Sequence, residues 1–197
     1  LIVENACPRY SYALSSAPVA AGQWQAYFEQ QIRFIDALPK ELQALALVRL
    51  YPQDYGNRQS ERWCRHFPQL ALDDGNQPMS ELLRKTRVYV STYNATTYLE
   101  SLTFNFPTII FWNPEHWELR EDAKPYFEQL KAVGVFHDTP EGAAWHVTRV
   151  WDDVEGWWES EPVQFARRVF CCRYANNSDN VMSRLETLFR SVDGPTG

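Results

Sequence analysis

From Thr92 to Leu99 the chain carries hydroxyls, an amide and small side chains but no charge, and Glu100 follows directly. The pattern predicts a helix start, with Asn94 as N-cap and Ala95, Leu99 and Leu102 on the face seated against a sheet. Helix N-termini usually attract Asp or Glu. A start without them leaves backbone N–H groups and a positive dipole end for an anion, with Asn94, Thr96 and Thr97 around it. Glu100 comes six residues after Asn94, roughly 9 Å along a helix at about 1.5 Å per residue. That matches the step from a phosphate to the ribose of the same nucleotide, where a carboxylate can accept hydrogen bonds from ribose hydroxyls. The competing reading is an ordinary cap followed by a solvated glutamate.

Three further sets of residues carry chemistry. Arg49 stands near the end of the apolar run 44–51. A charge at the end of a buried strand is unfavourable unless it is paired or faces a site. Guanidinium suits a phosphate or sugar acid; a structural pair with a neighbouring carboxylate explains the residue equally well. Arg9, with Tyr10, Ser11 and Tyr12, falls in the loop after the first strand. Glu115, His116 and Glu118 fall in the loop after the fifth. Ligands of open parallel α/β sheets sit beyond the carboxyl ends of the strands, so both loops are expected at one mouth. His116 and Glu118 are the candidates for proton transfer. Trp112 and Trp117 either stack on a ligand or pack.

The elements that must position these groups alternate. Residues 1–4, 44–51, 69–73, the run around Val88 and Val90, 108–112 and 135–138 read as strands. Helices are expected at 23–38, 60–67, 81–85, from Asn94 onward, 121–133 and from Thr139 to about 153. In the first, Trp24, Tyr27, Phe28, Ile32 and Ile35 recur at helical spacing. Thr139-Pro140-Glu141 is a strong helix start, with cap, proline and acid in order. A turn at Gly156-Trp157-Trp158 and helices at 162–175 and 179–191 complete the expectation. Six strands alternating with helices imply an α/β fold with a doubly wound parallel sheet, Rossmann-like, in the order 3-2-1-4-5-6. Its switch point, between the first and fourth strands, would place Arg9 and residues 94–97 on one crevice. One domain over 1–191 and a tail at 192–197 are expected.

Composition narrows the class. The 197 residues are 45% hydrophobic and 22% charged, which suits a globular chain. A net charge of −6 argues against a nucleic-acid partner and against general affinity for acidic membranes. No apolar run approaches the roughly 18 residues of a transmembrane helix. There is no initial Met and no signal peptide, and Leu1-Ile2-Val3 reads as the inside of a strand, so a fragment of a longer protein is expected. Cys7, Cys64, Cys171 and Cys172 form no C-x-x-C and read as reduced thiols, with no zinc-ligand spacing; the expected location is cytoplasmic. The dinucleotide fingerprint, the P-loop and the G-x-S-x-G elbow are all missing.

Tyr93-Asn94-Ala95-Thr96-Thr97-Tyr98-Leu99-Glu100, then Pro107-Thr108-Ile109, Phe111-Trp112-Asn113-Pro114 and Trp117-Glu118-Leu119-Arg120, resemble a bacterial family of surface-polysaccharide transferases. Pro8-Arg9-Tyr10-Ser11-Tyr12 and the segments 49–56 and 151–158 extend the likeness over nearly the whole chain, as that family's carboxyl-terminal half. Residues 92–112 are also similar to the donor-binding half of the two-domain GT-B glycosyltransferases. The usual glycine before their P-T/V-I element is replaced here by Asn105-Phe106.

The resemblance implies transfer of a glycosyl group from a nucleotide-activated sugar, with no further cofactor and no metal. Thr96 and Thr97 would hold donor phosphate, Glu100 the ribose, and Arg49 would neutralise the phosphate. The acceptor, and commonly the base, would come from an N-terminal domain of the same protein, and the location could be the inner face of the membrane. Two other classes compete. A sugar-nucleotide epimerase or hydrolase would use Glu115 and Glu118. A non-enzymatic interaction module would associate through the tryptophan-rich segment 145–158.

Overall fold

The computed structural model describes residues 1–6, 8 and 22–175. Arg9, the rest of its loop, the expected helix at 179–191 and the tail lie outside the described residues.

Strand β5 (Thr108–Phe111) is the most buried, with every position inside. Such a run fits only a strand covered on both faces. Beside it lie β4 (Tyr89–Ser91) and β6 (Phe136–His137). β1 (Ile2–Val3), β2 (Leu47–Arg49) and β3 (Ala71–Asp73) complete six parallel strands in the order β3-β2-β1-β4-β5-β6. The register sets Val3 between Arg49 and Ser91. The strands are shorter than expected, at two to four residues.

Right-handed crossovers place helices on both faces. On one, α1 (Trp24–Ala37) packs on α7 (Pro140–Val150). Its buried stripe is Trp24, Tyr27, Phe28, Gln31, Phe34 and Ile35. Ile32 is only half-buried because the helix is turned to set Phe34 against Phe111 of β5, centroids 5.2 Å apart. The helix α3 (Gln59–His66) shares that side of the sheet, while α2 (Lys40–Gln43) is a short turn absent from the sequence expectation.

On the other face lie α4 (Met79–Leu83), α5 (Thr96–Thr103) and α6 (Lys124–Ala132), with α9 (Glu161–Tyr174) packed on α5 and α6. Instead of a turn, Val154–Trp158 forms α8 after a 3₁₀ turn at Trp151–Asp153. The Asp153 carboxylate caps it by accepting from Gly156 N at 2.9 Å. Gly156 therefore serves at the start of a helix, where a Cβ would meet that carboxylate.

The helix–strand turn at Asn105 departs from the family's glycine in residue type, not in conformation. Asn105 has φ 54°, the left-handed region that Gly usually supplies and Asn tolerates. Phe106 N donates to Ser101 O at 2.9 Å and Asn105 N to Leu102 O at 3.2 Å, closing α5 in a Schellman pattern. The Asn side chain adds what Gly cannot, accepting from Trp158 Nε1 at 3.1 Å and Gln164 Nε2 at 3.0 Å.

Thr139 is the N-cap of α7, its hydroxyl accepting from Gly142 N at 3.1 Å. Thr139→Ala should lower stability by about 1 kcal/mol. The expected signature is a lower urea midpoint with an unchanged slope.

Candidate functional site

The strand order reverses between β1 and β4, which pair parallel, and the helices α1 and α5 lie on opposite faces of the sheet there. The gap is bridged by side chains. Thr92 Oγ1 donates to Val3 O at 2.9 Å. The Tyr27 phenol accepts from Asn5 N at 2.7 Å and meets Thr92 Oγ1 at 2.9 Å. Since the Thr92 proton goes to Val3, Tyr27 donates its own to Thr92. This buried chain ties α1, β1 and β4 at the base of the crevice.

The start of α5 rises beside it. Ala95, not Asn94, holds the N-cap position, with extended φ −147° and no side-chain cap. Asn94 Oδ1 is taken instead by the Tyr98 hydroxyl, at 3.0 Å, because one helical turn separates the two residues. The first turn contains no acid, as expected, and Thr96 is exposed there. Thr97 Oγ1 and the Tyr93 hydroxyl are 3.1 Å apart.

Thr97 and Glu100 converge on one cavity of about 480 Å³ between α4 and α5, with Met79, Leu83, Tyr89 and Phe106 as apolar walls. Tyr89 is buried, and its hydroxyl has no hydrogen-bond partner among the described residues. Burial, first of all, raises the Tyr93 phenol above its ordinary pKa; Tyr51, Arg49 and Glu100 all act on it electrostatically. The ends of β2 and β4 and the first turns of α5 are therefore one neighbourhood.

Arg49 reaches that neighbourhood already paired. Its guanidinium donates to Asp73 Oδ2 at 2.8 Å and to Gly75 O at 2.7 Å, with both side chains largely buried. Gly75 has φ +83°, and a Cβ there would stand 2.5 Å from Leu50 O. The glycine thus lets the loop after β3 close on Arg49. The structural-pair reading accounts for these two contacts. Among the described residues the other guanidinium N–H groups make no hydrogen bond, so a positive edge remains.

Sequence reasoning missed Glu4, which follows β1 directly. Its side chain is buried. Oε1 accepts from Trp63 Nε1 at 2.6 Å, while Oε2 is buried with no partner among the described residues. Desolvation pushes its pKa up to about 8, against the partial offset of the Trp63 hydrogen bond. Gln59, one turn before Trp63 on α3, donates weakly to Asn5 O at 3.4 Å and leaves its own Oε1 unpartnered. At neutral pH Glu4 is a neutral acid under the crevice. An acid directly after an apolar strand was the available signal, though only burial reveals its state.

The loop after β5 divides its candidates. Trp117 is buried against Tyr27, centroids 5.6 Å apart. His116 stands next to it, with a buried, unpartnered Nδ1. Glu118 instead lines a separate cavity of about 450 Å³ with Trp112, Phe127 and Phe136. Trp112 and Trp117 are both almost fully buried, so they pack. Among the described residues no three His, Cys, Asp or Glu are grouped to hold a metal ion. No helix there is long and apolar enough to cross a membrane.

A doubly wound parallel sheet suits many chemistries. The family comparison narrows them: residues 1–189 match the model of the LIC12162 family transferase. The chain belongs to that family. No curated protein and no solved structure matched it. A transferase family thus accompanies the Rossmann-like sheet.

Glu4 gives a pH signature with a definite sign. Its folded pKa, about 8, lies above its ordinary 4.5, so the folded state holds the proton more tightly. The stability it contributes is fully present below pH 4.5 and is lost as pH rises through about 8. Glu4→Gln keeps the neutral shape at every pH. In urea titrations from about pH 5 to about pH 9, the variant should gain on the parent steadily and lead by a few kcal/mol at the alkaline end.

Proposed function

We propose that this chain is the donor-binding part of a glycosyltransferase using a nucleotide-activated sugar in the assembly of a bacterial surface polysaccharide. The observation that carries the reading is the convergence of Thr97 and Glu100 on one cavity beside an uncapped, acid-free helix start. The donor diphosphate is assigned to the first turn of α5, where backbone N–H groups, Thr96 and Thr97 supply donors. One turn further, Glu100 accepts from the ribose hydroxyls. The base then enters the cavity walled by Leu83, Tyr89 and Phe106.

Transfer breaks the bond between the anomeric carbon and the diphosphate oxygen as the acceptor hydroxyl attacks that carbon. Negative charge grows on the departing diphosphate, where the α5 dipole and the edge of Arg49 stabilise it. The acceptor's proton goes to a base, for which His116 is the candidate within the chain. The acceptor itself is assigned to an N-terminal domain of the same protein. Glu118 opens into a different cavity, away from Thr97 and Glu100.

Ligand-observed NMR against CMP, CDP, UDP, GDP and ADP tests the assignment. One nucleotide should bind selectively at millimolar affinity, about −4 kcal/mol, and Glu100→Ala should abolish its signal. Binding that survives Glu100→Ala unchanged, or the absence of binding by the full-length protein, would sink the reading.

A further inference from the structure

A second polar cavity, of about 400 Å³, opens at the β6 edge of the sheet, away from the crevice. Lys131 at the end of α6, His137 of β6 and His146 and Arg149 of α7 line it, and Trp157 and the start of α9 close it. No Asp or Glu is among its lining residues, although the chain as a whole carries −6. Burial lowers the pKa of both histidines, that of His146 to about 4, so they are neutral and Arg149 is the cation here that no carboxylate answers among the described residues; one guanidinium among N–H groups favours an anion.

Two observations show that the donors are unspent. His146 is 3% exposed, and its Nε2 has no hydrogen-bond partner among the described residues. Its ring edge lies over Gly134, where a Cβ would come within 2.5 Å of Nε2. Nε2 is thus a buried polar atom without a partner, an arrangement native structures rarely leave unanswered. Separately, the 14-residue helix α9 begins in this wall without a side-chain cap. The Ser160 hydroxyl donates to Trp157 O at 2.7 Å instead, so the N–H groups of Glu161 and Val163 are left without a side-chain cap, while Pro162 between them has none to offer.

The remaining charges are accounted for. Lys131 is shared with Asp138 at the rim, and Glu161 is drawn off by Arg168 at 3.0 Å. Among the described residues Arg149 makes no ion pair; it lies over the exposed Trp145 ring, 4.8 Å from its centre. The carbonyl end of α6 opposes an anion, but Trp157 Nε1 covers Val133 O at 3.1 Å and His137 Nε2 covers Gly134 O at 2.9 Å. With those carbonyls satisfied, the α9 dipole and the guanidinium set the sign of the field.

We propose that this cavity binds a phosphoryl oxyanion, at a site separate from the crevice at β1 and β4. Arg149 supplies the charge-assisted contacts, the α9 start supplies backbone donors, and His146 supplies the buried one. The inference does not rest on the glycosyltransferase reading, because no residue is shared with it.

Histidine side-chain ¹H–¹⁵N NMR on the full chain tests this with three ligands: inorganic phosphate, glycerol 3-phosphate and acetate, each against chloride at matched ionic strength. Phosphate should shift the His146 and His137 signals saturably. Arg149→Gln, an exposed substitution that leaves the core intact, should weaken binding about tenfold. Glu100→Ala should leave it unchanged, which separates this site from the nucleotide site. Glycerol 3-phosphate binding as tightly as phosphate assigns the site to phosphate esters; weaker binding assigns it to the free ion. No saturable shift, an equal response to chloride or acetate, or full affinity in Arg149→Gln overturns the proposal.

Discussion

The structure depends on how two short parallel strands, β1 and β4, are held side by side where the strand order reverses. Only two register pairs join them, Ile2 with Val90 and Val3 with Ser91. Ladder bonds on so short an overlap leave the strand ends open to water or to whatever occupies the crevice. The Asn5–Tyr27–Thr92–Val3 chain of hydrogen bonds closes that gap with one proton per acceptor. Because Tyr27 comes from α1, and α1 packs on α7, the helix layer and the sheet end are set together. The start of α5 inherits its position from Thr92 in this chain.

Much of the fold was legible because each layer wrote a strong pattern. The apolar run at β5 fits only a doubly covered strand, and the amphipathic period of α1 was unmistakable even though tertiary packing turned the helix to bury Phe34 rather than Ile32. Alternation of the two, with right-handed crossovers, leaves few strand orders, and the observed one was among them. What local sequence could not resolve was competition for a single side chain. Asn94 is a good cap by type, but Tyr98 one turn later claims its oxygen. Gly156 suggests a turn by type, but the Asp153 carboxylate converts it to a helix start. Asn105 shows the converse: its polar side chain accepts from two partners while its backbone adopts the turn that a glycine would.

The candidate site was legible in its outline and not in its chemistry. Thr97 and Glu100 are one turn apart on α5, so helical spacing alone predicted that they would share a surface. Arg49 was rightly read as a charge that must be answered; that Asp73 and Gly75 answer part of it depends on a loop closing after β3, which spacing does not encode. Glu118 left the group because the loop after β5 folds Trp117 inward and sends its neighbour toward β6. Glu4 was passed over because a carboxylate beside a strand reads as a solvated charge until its burial is known.

Desolvation explains how an acid can stand buried directly after β1. An ionised carboxylate sealed there would lack the hydration that it has in water, a cost that grows in a low-dielectric interior. Protonation removes that cost: the desolvation that raises the Glu4 pKa to about 8 keeps the group neutral near pH 7. Neutral, it still accepts from Trp63 Nε1 at 2.6 Å and so ties the end of β1 to α3. The same desolvation makes the arrangement conditional. As pH rises through about 8 the proton is lost, and with it the stability that the neutral group contributes.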